Sequence, residues 1–170
     1  MTTIIAQTPG TEISDYEQER GKPMPSLNHS YVQLRLGAEF LVRHPNLISF
    51  SELTLQVAYD HRRTPDLSVY AEHKVDFRRD VIAPDEPPLT VVEIFSPSQS
   101  PQDVMALVDE YFSFGVKTCW LVTPYLRNIA IFCADGQEVQ FSKGIALDPI
   151  TGLSADLANV FKRQPGPAAD

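Results

Sequence analysis

Hydrophobic positions recur with helical spacing in two stretches of the chain. Between residues 28 and 43, apolar side chains fall every three or four residues, and Ser26 or Asn28 is placed to cap the start. A second apolar stripe, 104–112, follows a serine, a proline and an aspartate that are typical of a helix start, and Gly115 ends it. The pattern predicts two amphipathic helices.

The other hydrophobic patterns are typical of β-strands. Alternating or continuous apolar runs predict strands over 53–59 (extended through a bulge by 47–50), 66–71, 90–95, 118–122, 128–133 and 139–141. Turns are predicted at 60–64 and at 135–136, and a short closing helix at 153–161. Because the run 90–95 is almost continuously apolar, we expect that strand to be buried on both faces.

The order of these elements predicts the fold class. Strand, helix and strand between residues 90 and 122 form a crossover unit, which makes the two strands parallel and the connection right-handed. The earlier strands are joined by short turns and are expected to be antiparallel. At 170 residues the chain predicts a single α/β domain at 12–162, a mixed β-sheet flanked by helices, with a flexible arm at 1–11 and a disordered tail at 163–170.

The segment 72–89 is predicted to be an exposed loop of unusual length. Six charged residues and a histidine lie between Glu72 and Asp80, and three prolines follow. One interpretation is a functional lid, since long loops in compact domains often carry function. The alternative is a solvated excursion with no role.

Charge and composition narrow the classes of partner. The chain has 22 acidic and 14 basic residues, a net charge of −8, which argues against a surface that coats nucleic acid or an anionic membrane. This net charge does not exclude a local nucleic-acid site in which a metal ion supplies positive charge. Cys119 and Cys133 lie in apolar runs, and no signal peptide or long apolar window is found, so we expect a cytoplasmic protein with reduced thiols and no membrane partner. Zinc spacings and nucleotide-binding motifs are also missing from the sequence.

Two carboxylates are the candidates for chemistry. Glu93 lies in the middle of the apolar run TVVEIF, where an ionised side chain is costly unless it is paired or bound to metal. Asp66 opens the preceding strand, directly after Pro65. Two carboxylates on neighbouring strands can bind Mg²⁺, which prefers oxygen ligands and keeps several waters. The alternatives are a turn role for Asp66 after Pro65 and a buried arginine partner for Glu93.

Four stretches together resemble a known bacterial family: "YEQERGKPMPSLNHSYVQLRLGAEFL", "TPDLSVY", "PPLTVVEIFSPSQS" and "DEYFSFGVKTCWLVTP". They are similar to the Uma-two family of restriction-endonuclease-like proteins with the PD-(D/E)XK fold, over roughly residues 12–162. The resemblance implies a divalent metal, Mg²⁺ or Mn²⁺, bound by Asp66, Glu93 and the main-chain carbonyl of Ile94. It also implies site roles for Glu52 and His29. Their alternatives are a surface carboxylate at a strand start and a histidine that buttresses the first helix.

The sequence departs from the family where a lysine is expected. The fold's lysine sits two residues after the acid, and here Phe95 occupies that position. The family often carries the lysine instead on the next helix, four residues before a tyrosine. With Tyr111 as that tyrosine the position is Leu107, which continues the apolar stripe. Lys117 is about 15 Å further along by helical rise and is a poor substitute. Other cations, Lys74, Arg78 and Arg79, lie on the 72–89 loop. Asp103 matches a family acid, but a first-turn helix acid explains it better.

Two functional hypotheses follow. The first is a Mg²⁺-dependent endonuclease that hydrolyses DNA phosphodiesters at Asp66 and Glu93. The second is a degenerate nuclease scaffold that binds nucleic acid or a protein, which the missing lysine favours. A third reading gives both carboxylates a stabilising role only. We expect DNA binding to be weak and salt-sensitive because of the acidic charge, and the resemblance also implies a homodimer.

Overall fold

The helices form where the apolar stripes predict them. The computed structural model describes residues 24–72, 75–95 and 99–163. Its helices are α1 (Leu27–Arg43), α2 (Pro101–Phe114) and α3 (Leu157–Val160). Ser26 Oγ accepts a hydrogen bond from His29 N at 3.2 Å and caps α1, and Ser100 Oγ caps α2 through Asp103 N. The two longer predicted helices are therefore confirmed.

A six-stranded mixed sheet forms the centre of the fold. The strands of the described chain are β1 (Ile48–Ser51), β2 (Leu55–Ala58), β3 (His61–Arg63), β4 (Leu67–Tyr70), β5 (Thr90–Ile94), β6 (Thr118–Thr123), β7 (Asn128–Cys133), β8 (Glu138–Phe141), β9 (Ile145–Leu147) and β10 (Ser154–Asp156). The main sheet has the order β1–β4–β5–β6–β7–β8, and β2–β3 and β9–β10 form two small sheets. Strands β5 and β6 are parallel, and the other neighbouring pairs are antiparallel, as predicted.

Both faces of the main sheet are covered. Alternate residues of β5 point to opposite faces, so Val92 joins the core beneath α1 and Val91 joins the core beneath α2. The first core holds the buried ring of Trp120, and the second holds the buried thiol of Cys119. This double coverage explains why every residue of β5 is buried. The free thiol of Cys133 is buried too.

Three sequence-based boundaries were wrong. The predicted strand 47–59 is two strands in different sheets, because the backbone at Glu52 adopts φ +53° and breaks the run. The predicted turn 60–64 contains β3, which pairs with β2 as a short hairpin. The predicted closing helix 153–161 is a strand, β10, followed by the single turn α3, because 154–156 pairs with β9.

The long loop and the chain ends complete the description. Residues 75–89 contain neither helix nor strand, and Leu89 O anchors the end of this segment by accepting from Lys117 N at 2.9 Å. Gly115 adopts φ +113°, and a Cβ there would lie 3.1 Å from Pro87 Cγ, so glycine permits the loop to pack on the end of α2. The predicted arm 1–11 and all of the predicted tail except Arg163 lie outside the described residues. None of the described helices is long and apolar enough to cross a membrane.

Candidate active site

Asp66 is fully buried at the start of β4. Its carboxylate Oδ2 accepts a hydrogen bond from Ile94 N at 2.6 Å, and its Oδ1 lies 3.1 Å from His29 Nε2. Its main chain is bonded on both sides: the amide donates to Val92 O at 3.0 Å, and the carbonyl accepts from Gln33 Nε2 at 3.0 Å. Asp66 is therefore held in place at the end of the interior strand β4 and is not merely a turn residue after a proline.

Glu93 is also buried, with 6% of its surface exposed. Its Oε1 accepts a hydrogen bond of 2.6 Å from the hydroxyl of Tyr111, which projects from α2. Burial, followed by the charge of Glu93 and this hydrogen bond, raises the pKa of Tyr111 well above its usual value. Tyr111 therefore stays protonated and acts as a permanent donor to Glu93. Because the hydroxyl ties down one oxygen, the carboxylate has a fixed orientation.

Strand pairing brings the two acids to one end of the sheet. Leu67 is paired with Val92 across the β4–β5 ladder, and Asp66 and Glu93 are the next residues outward on each strand. By strand alternation Glu93 lies on the same face as Val91, the face covered by α2, whereas the Asp66 carboxylate at the end of the strand contacts His29 of α1. The hydrogen bond from Ile94 N to Asp66 Oδ2 locks this geometry, since the donor directly follows Glu93.

Helix α1 contributes His29 and Gln33 to the same place. The two residues are four apart, so they lie on one face of the helix, and both reach Asp66. His29 has 6% of its surface exposed. Its Nε2 is within ion-pair distance of the carboxylate but is not aligned for a hydrogen bond. His29 thus contacts one of the two candidate carboxylates, while its predicted role in the site stays a prediction.

Glu52 meets Asp66 through its backbone. Its amide donates to Asp66 O at 3.1 Å, at the residue where φ is +53°. A left-handed conformation at a non-glycine residue costs about 1–3 kcal/mol and is held by its surroundings, here by the bonded Asp66 carbonyl. Glu52 is half-buried and ends β1, so it is not the exposed strand-start residue of the alternative interpretation.

The donor set fits a divalent metal in part. Buried carboxylate oxygens on fixed strands are the ligands that Mg²⁺ and Mn²⁺ use, and Mg²⁺ fills its remaining positions with water. Across the described ranges, no group of three or more histidine, cysteine, aspartate or glutamate side chains is arranged to hold an ion. The protein would therefore offer two carboxylates, with Ile94 O as the predicted main-chain ligand.

The two usual lysine positions are apolar in three dimensions as well. Leu107 is half-buried and packs against the core that contains Tyr111, one helical turn away. Phe95 directly follows β5 and donates its amide to Val122 O at 2.7 Å. Lys117 lies at the opposite end of β5, where its amide bonds Leu89 O. It is therefore remote from Glu93.

The loop cations have a different placement. Arg78 and Arg79 are exposed, and Arg79 lines a pocket of about 320 Å³ together with Phe50 and Leu53, the residues on either side of 51–52. The loop therefore folds back beside the strand that carries Glu52. Lys74 lies outside the described residues. Asp103 is a first-turn acid whose Oδ2 accepts from Ser100 Oγ at 2.7 Å, as its structural interpretation predicts.

Sequence reasoning did not assign Tyr111 or Gln33 to the site. A signal for Tyr111 was present, because a tyrosine in a buried apolar stripe needs a partner for its hydroxyl. Glu93 was the buried acceptor that needed a donor. Gln33 gave no such signal, since a glutamine on a helix surface is ordinary.

Comparisons with known proteins identify the family and a structure of similar fold. Residues 7–158 match the model of the family Uma2, described as "Putative restriction endonuclease". A solved structure from Anabaena variabilis ATCC 29413, described as a "putative nuclease belonging to DUF820", has a similar fold with a TM-score of 0.63. It is 22% identical, and the match covers 82% of this chain and 83% of that one. No curated protein matches the chain.

Proposed function

Because the chain belongs to the Uma2 family, the Uma-two family of the sequence resemblance, we propose that it is a Mg²⁺- or Mn²⁺-dependent endonuclease that hydrolyses DNA phosphodiester bonds. The observation that carries the proposal is the pair of buried carboxylates, Asp66 and Glu93. They lie at one end of adjacent strands, and each is held by a hydrogen-bond donor. Buried acids in this arrangement suit a metal that acts on a phosphate.

The bound metal would activate water and neutralise charge that develops on the phosphate. The chain's own residues would position that chemistry. Ile94 N holds Asp66 in place, and Tyr111 does the same for Glu93. We assign Ile94 O as the main-chain ligand. We assign His29, beside Asp66, to touch the substrate phosphate or to order the site, and we assign Glu52, whose amide bonds Asp66 O, as a further acid.

Plasmid nicking tests the proposal directly. Supercoiled DNA is incubated with the protein and Mg²⁺ or Mn²⁺, beside Asp66→Ala and the matched control Glu138→Ala, an exposed acid on the edge strand β8. We expect nicking by the wild type and the control and none by Asp66→Ala. Equal nicking by all three preparations would reject the proposal, since it would point to a contaminating nuclease.

A second candidate is a degenerate nuclease scaffold, which the apolar residues at both lysine positions favour. It predicts metal or DNA binding without hydrolysis. Leu107→Lys is the informative repair, because residue 107 lies one turn from Tyr111 on the packed face of α2. Nicking that appears only in Leu107→Lys would establish the degenerate scaffold.

A purely structural role for the carboxylates makes a different prediction. A ligand that binds only the folded protein stabilises it, by about 2.7 kcal/mol at 100 times its Kd. Under the metal proposal, Mn²⁺ raises the Tm of the wild type and not that of Asp66→Ala. Under the structural role, Mn²⁺ changes neither Tm.

Oligomeric state and compartment also belong to the proposal. Leu41 and Val42 are exposed near the end of α1, which supports a homodimer through this end of the helix. Sedimentation of the wild type beside Leu41→Glu tests this, and a monomer in both would reject it. Cys119 and Cys133 are buried and are not disulfide-bonded, which favours the cytoplasm, where thiols stay reduced.

A further inference from the structure

A large cleft opens beside the start of α1. It has a volume of about 990 Å³ and lies between the first turn of α1, the turn that follows β6, and the segment after α3. Fixed elements build its walls. The hydroxyl of Tyr31 donates to Lys162 O at 2.7 Å and holds the C-terminal segment on α1. Arg127 N donates to Pro124 O at 3.1 Å and closes the turn after β6.

The charge of this cleft differs from that of the whole chain. Arg127, Lys162 and Arg163 line it, and among the described residues its lining contains no aspartate or glutamate. All three cations are exposed. In a chain of net charge −8, three cations without an acid form a local positive surface. The first turn of α1, which also lines the cleft, adds the positive end of a helix dipole.

Aromatic surface accompanies the positive charge. The ring of Tyr125, at the tip of the turn after β6, is 63% exposed, and Phe161 contributes a further ring. Cationic side chains that follow a groove, together with aromatic rings that offer a stacking surface, are the combination by which proteins hold single-stranded nucleic acid.

The cleft adjoins the candidate active site. Residues 26–28 and Ser30 line it, and His29 between them lies 3.1 Å from Asp66. On the other side, Leu121 pairs with Glu93, and Pro124 of the cleft lies three residues further along the chain. That is about 10 Å at the rise of a strand. The cleft opens on the side of the sheet that α1 covers, whereas Glu93 faces α2 on the other side.

We propose that this cleft, walled by Arg127, Lys162, Arg163 and Tyr125, binds the phosphate backbone of a nucleic-acid strand and stacks one of its bases. The inference rests on the proposed function, because it makes the cleft the channel that leads a strand to Asp66 and Glu93. Binding in the cleft is independent of the base sequence, because phosphate contacts and stacking do not distinguish one base from another.

Salt-dependent binding tests the cleft without any catalysis. Fluorescence anisotropy measures the Kd of labelled single-stranded and duplex oligonucleotides in EDTA at a series of NaCl concentrations. The cleft variant is Arg127→Asn/Lys162→Gln/Arg163→Gln, in which asparagine suits the φ of +51° at residue 127. The matched control, Arg62→Gln/Lys117→Gln/Lys143→Gln, removes the same charge from exposed positions outside the cleft.

We expect the cleft variant to lower the slope of log Kd against log salt by about 2–3, since each lost phosphate contact removes about 0.7–0.9. Its Kd should rise more than tenfold, while the control changes less than twofold. Tyr125→Ala should weaken single-strand binding and leave the slope unchanged, because stacking is not ionic. Equal slopes for the cleft and control variants, in proteins with wild-type thermal melting, would overturn the inference.

The result separates the cleft from the proposed function. If nicking depends on Asp66 but the cleft variant binds normally, the nuclease stands and the cleft inference fails. If the cleft variant loses binding while no preparation nicks DNA, the cleft stands on a scaffold without activity.

Discussion

Two buried aspartates in this molecule have opposite surroundings. Asp148, 1% exposed, accepts hydrogen bonds from Trp120 Nε1, Ile150 N and Thr151 N, all at 2.9 Å. All three donors are neutral N–H groups that close the turn after β9. Asp66 accepts a hydrogen bond from Ile94 N, faces the imidazole of His29 and has a second buried acid, Glu93, on the neighbouring strand. Burial of an acid therefore does not by itself mark a candidate metal site, and the neighbouring acid distinguishes Asp66 from Asp148.

The largest expected difference between these aspartates is in catalysis. We expect Asp66→Asn to lower the nicking rate on the order of 100-fold or more, because it removes a charge that the metal requires. Asp148→Asn should retain wild-type activity per folded molecule. Initial nicking rates, corrected for the folded fraction by circular dichroism, measure both. A large activity loss in Asp148→Asn alone would reverse the assignment.

The second-largest expected effect is on stability, and here Asp148 matters more than Asp66. Asp148→Ala leaves the buried indole N–H of Trp120 and two main-chain amides without their acceptor. An orphaned buried donor costs about 1–3 kcal/mol, and of these three donors the indole N–H is the fully buried one, so we expect a loss of about 1–3 kcal/mol in the free energy of unfolding. Urea denaturation measures it. A loss below 1 kcal/mol would mean that water replaces the carboxylate at little cost.

The third prediction concerns Tyr111, which donates a hydrogen bond to Glu93, the second candidate metal ligand. Tyr111→Phe removes the donor to Glu93 Oε1 and keeps the ring that fills the core. We expect Mn²⁺ affinity to fall about 10–100-fold, as for other groups that orient metal ligands. Isothermal titration measures it. Tyr31→Phe is the control, since its hydroxyl bonds Lys162 O instead. An equal loss in both variants would remove the special role of Tyr111.

The smallest effect concerns Glu39, a carboxylate of a third kind. Burial raises its pKa, but hydrogen bonds from Asp156 N, Arg43 and Asn159 outweigh burial and lower it below 4.5. A lowered folded-state pKa contributes stability that is present above the unfolded value and is lost as the pH falls through the folded value. The stability difference between wild type and Glu39→Gln should therefore shrink between pH 5 and pH 3. We expect less than about 1 kcal/mol in urea denaturation at both pH values. A difference that grows on acidification would contradict the assignment.

Much of the main sheet followed from periodicity, but the site did not. The run 90–95 predicted its own burial, because only a strand covered on two faces is apolar at successive positions. The hairpin β2–β3 escaped prediction, since His61, Arg62 and Arg63 show no apolar alternation. The break at Glu52 was hidden, because a positive φ at a glutamate has no signature in sequence.

The site depends on contacts that local sequence does not encode. Asp66 and Glu93 were named as candidates because of their apolar neighbours, and their family positions support them. The bond of Glu93 to Tyr111 joins a strand to the following helix, and the contact of Asp66 with His29 joins β4 to α1. Such contacts depend on the packing of whole elements, which periodicity leaves open.

The bond between Tyr31 and Lys162 spans 131 residues, and this has a consequence for protein synthesis. The elements that carry the candidate catalytic acids and their donors have all been translated by residue 111. The far wall of the cleft needs Lys162 and Arg163, about fifty residues later. A partly synthesised chain therefore contains both acids and their donors before it contains the surface that would hold a strand against them. If the cleft is the strand's binding surface, a nascent chain that still lacks Lys162 and Arg163 binds DNA more weakly than the complete chain.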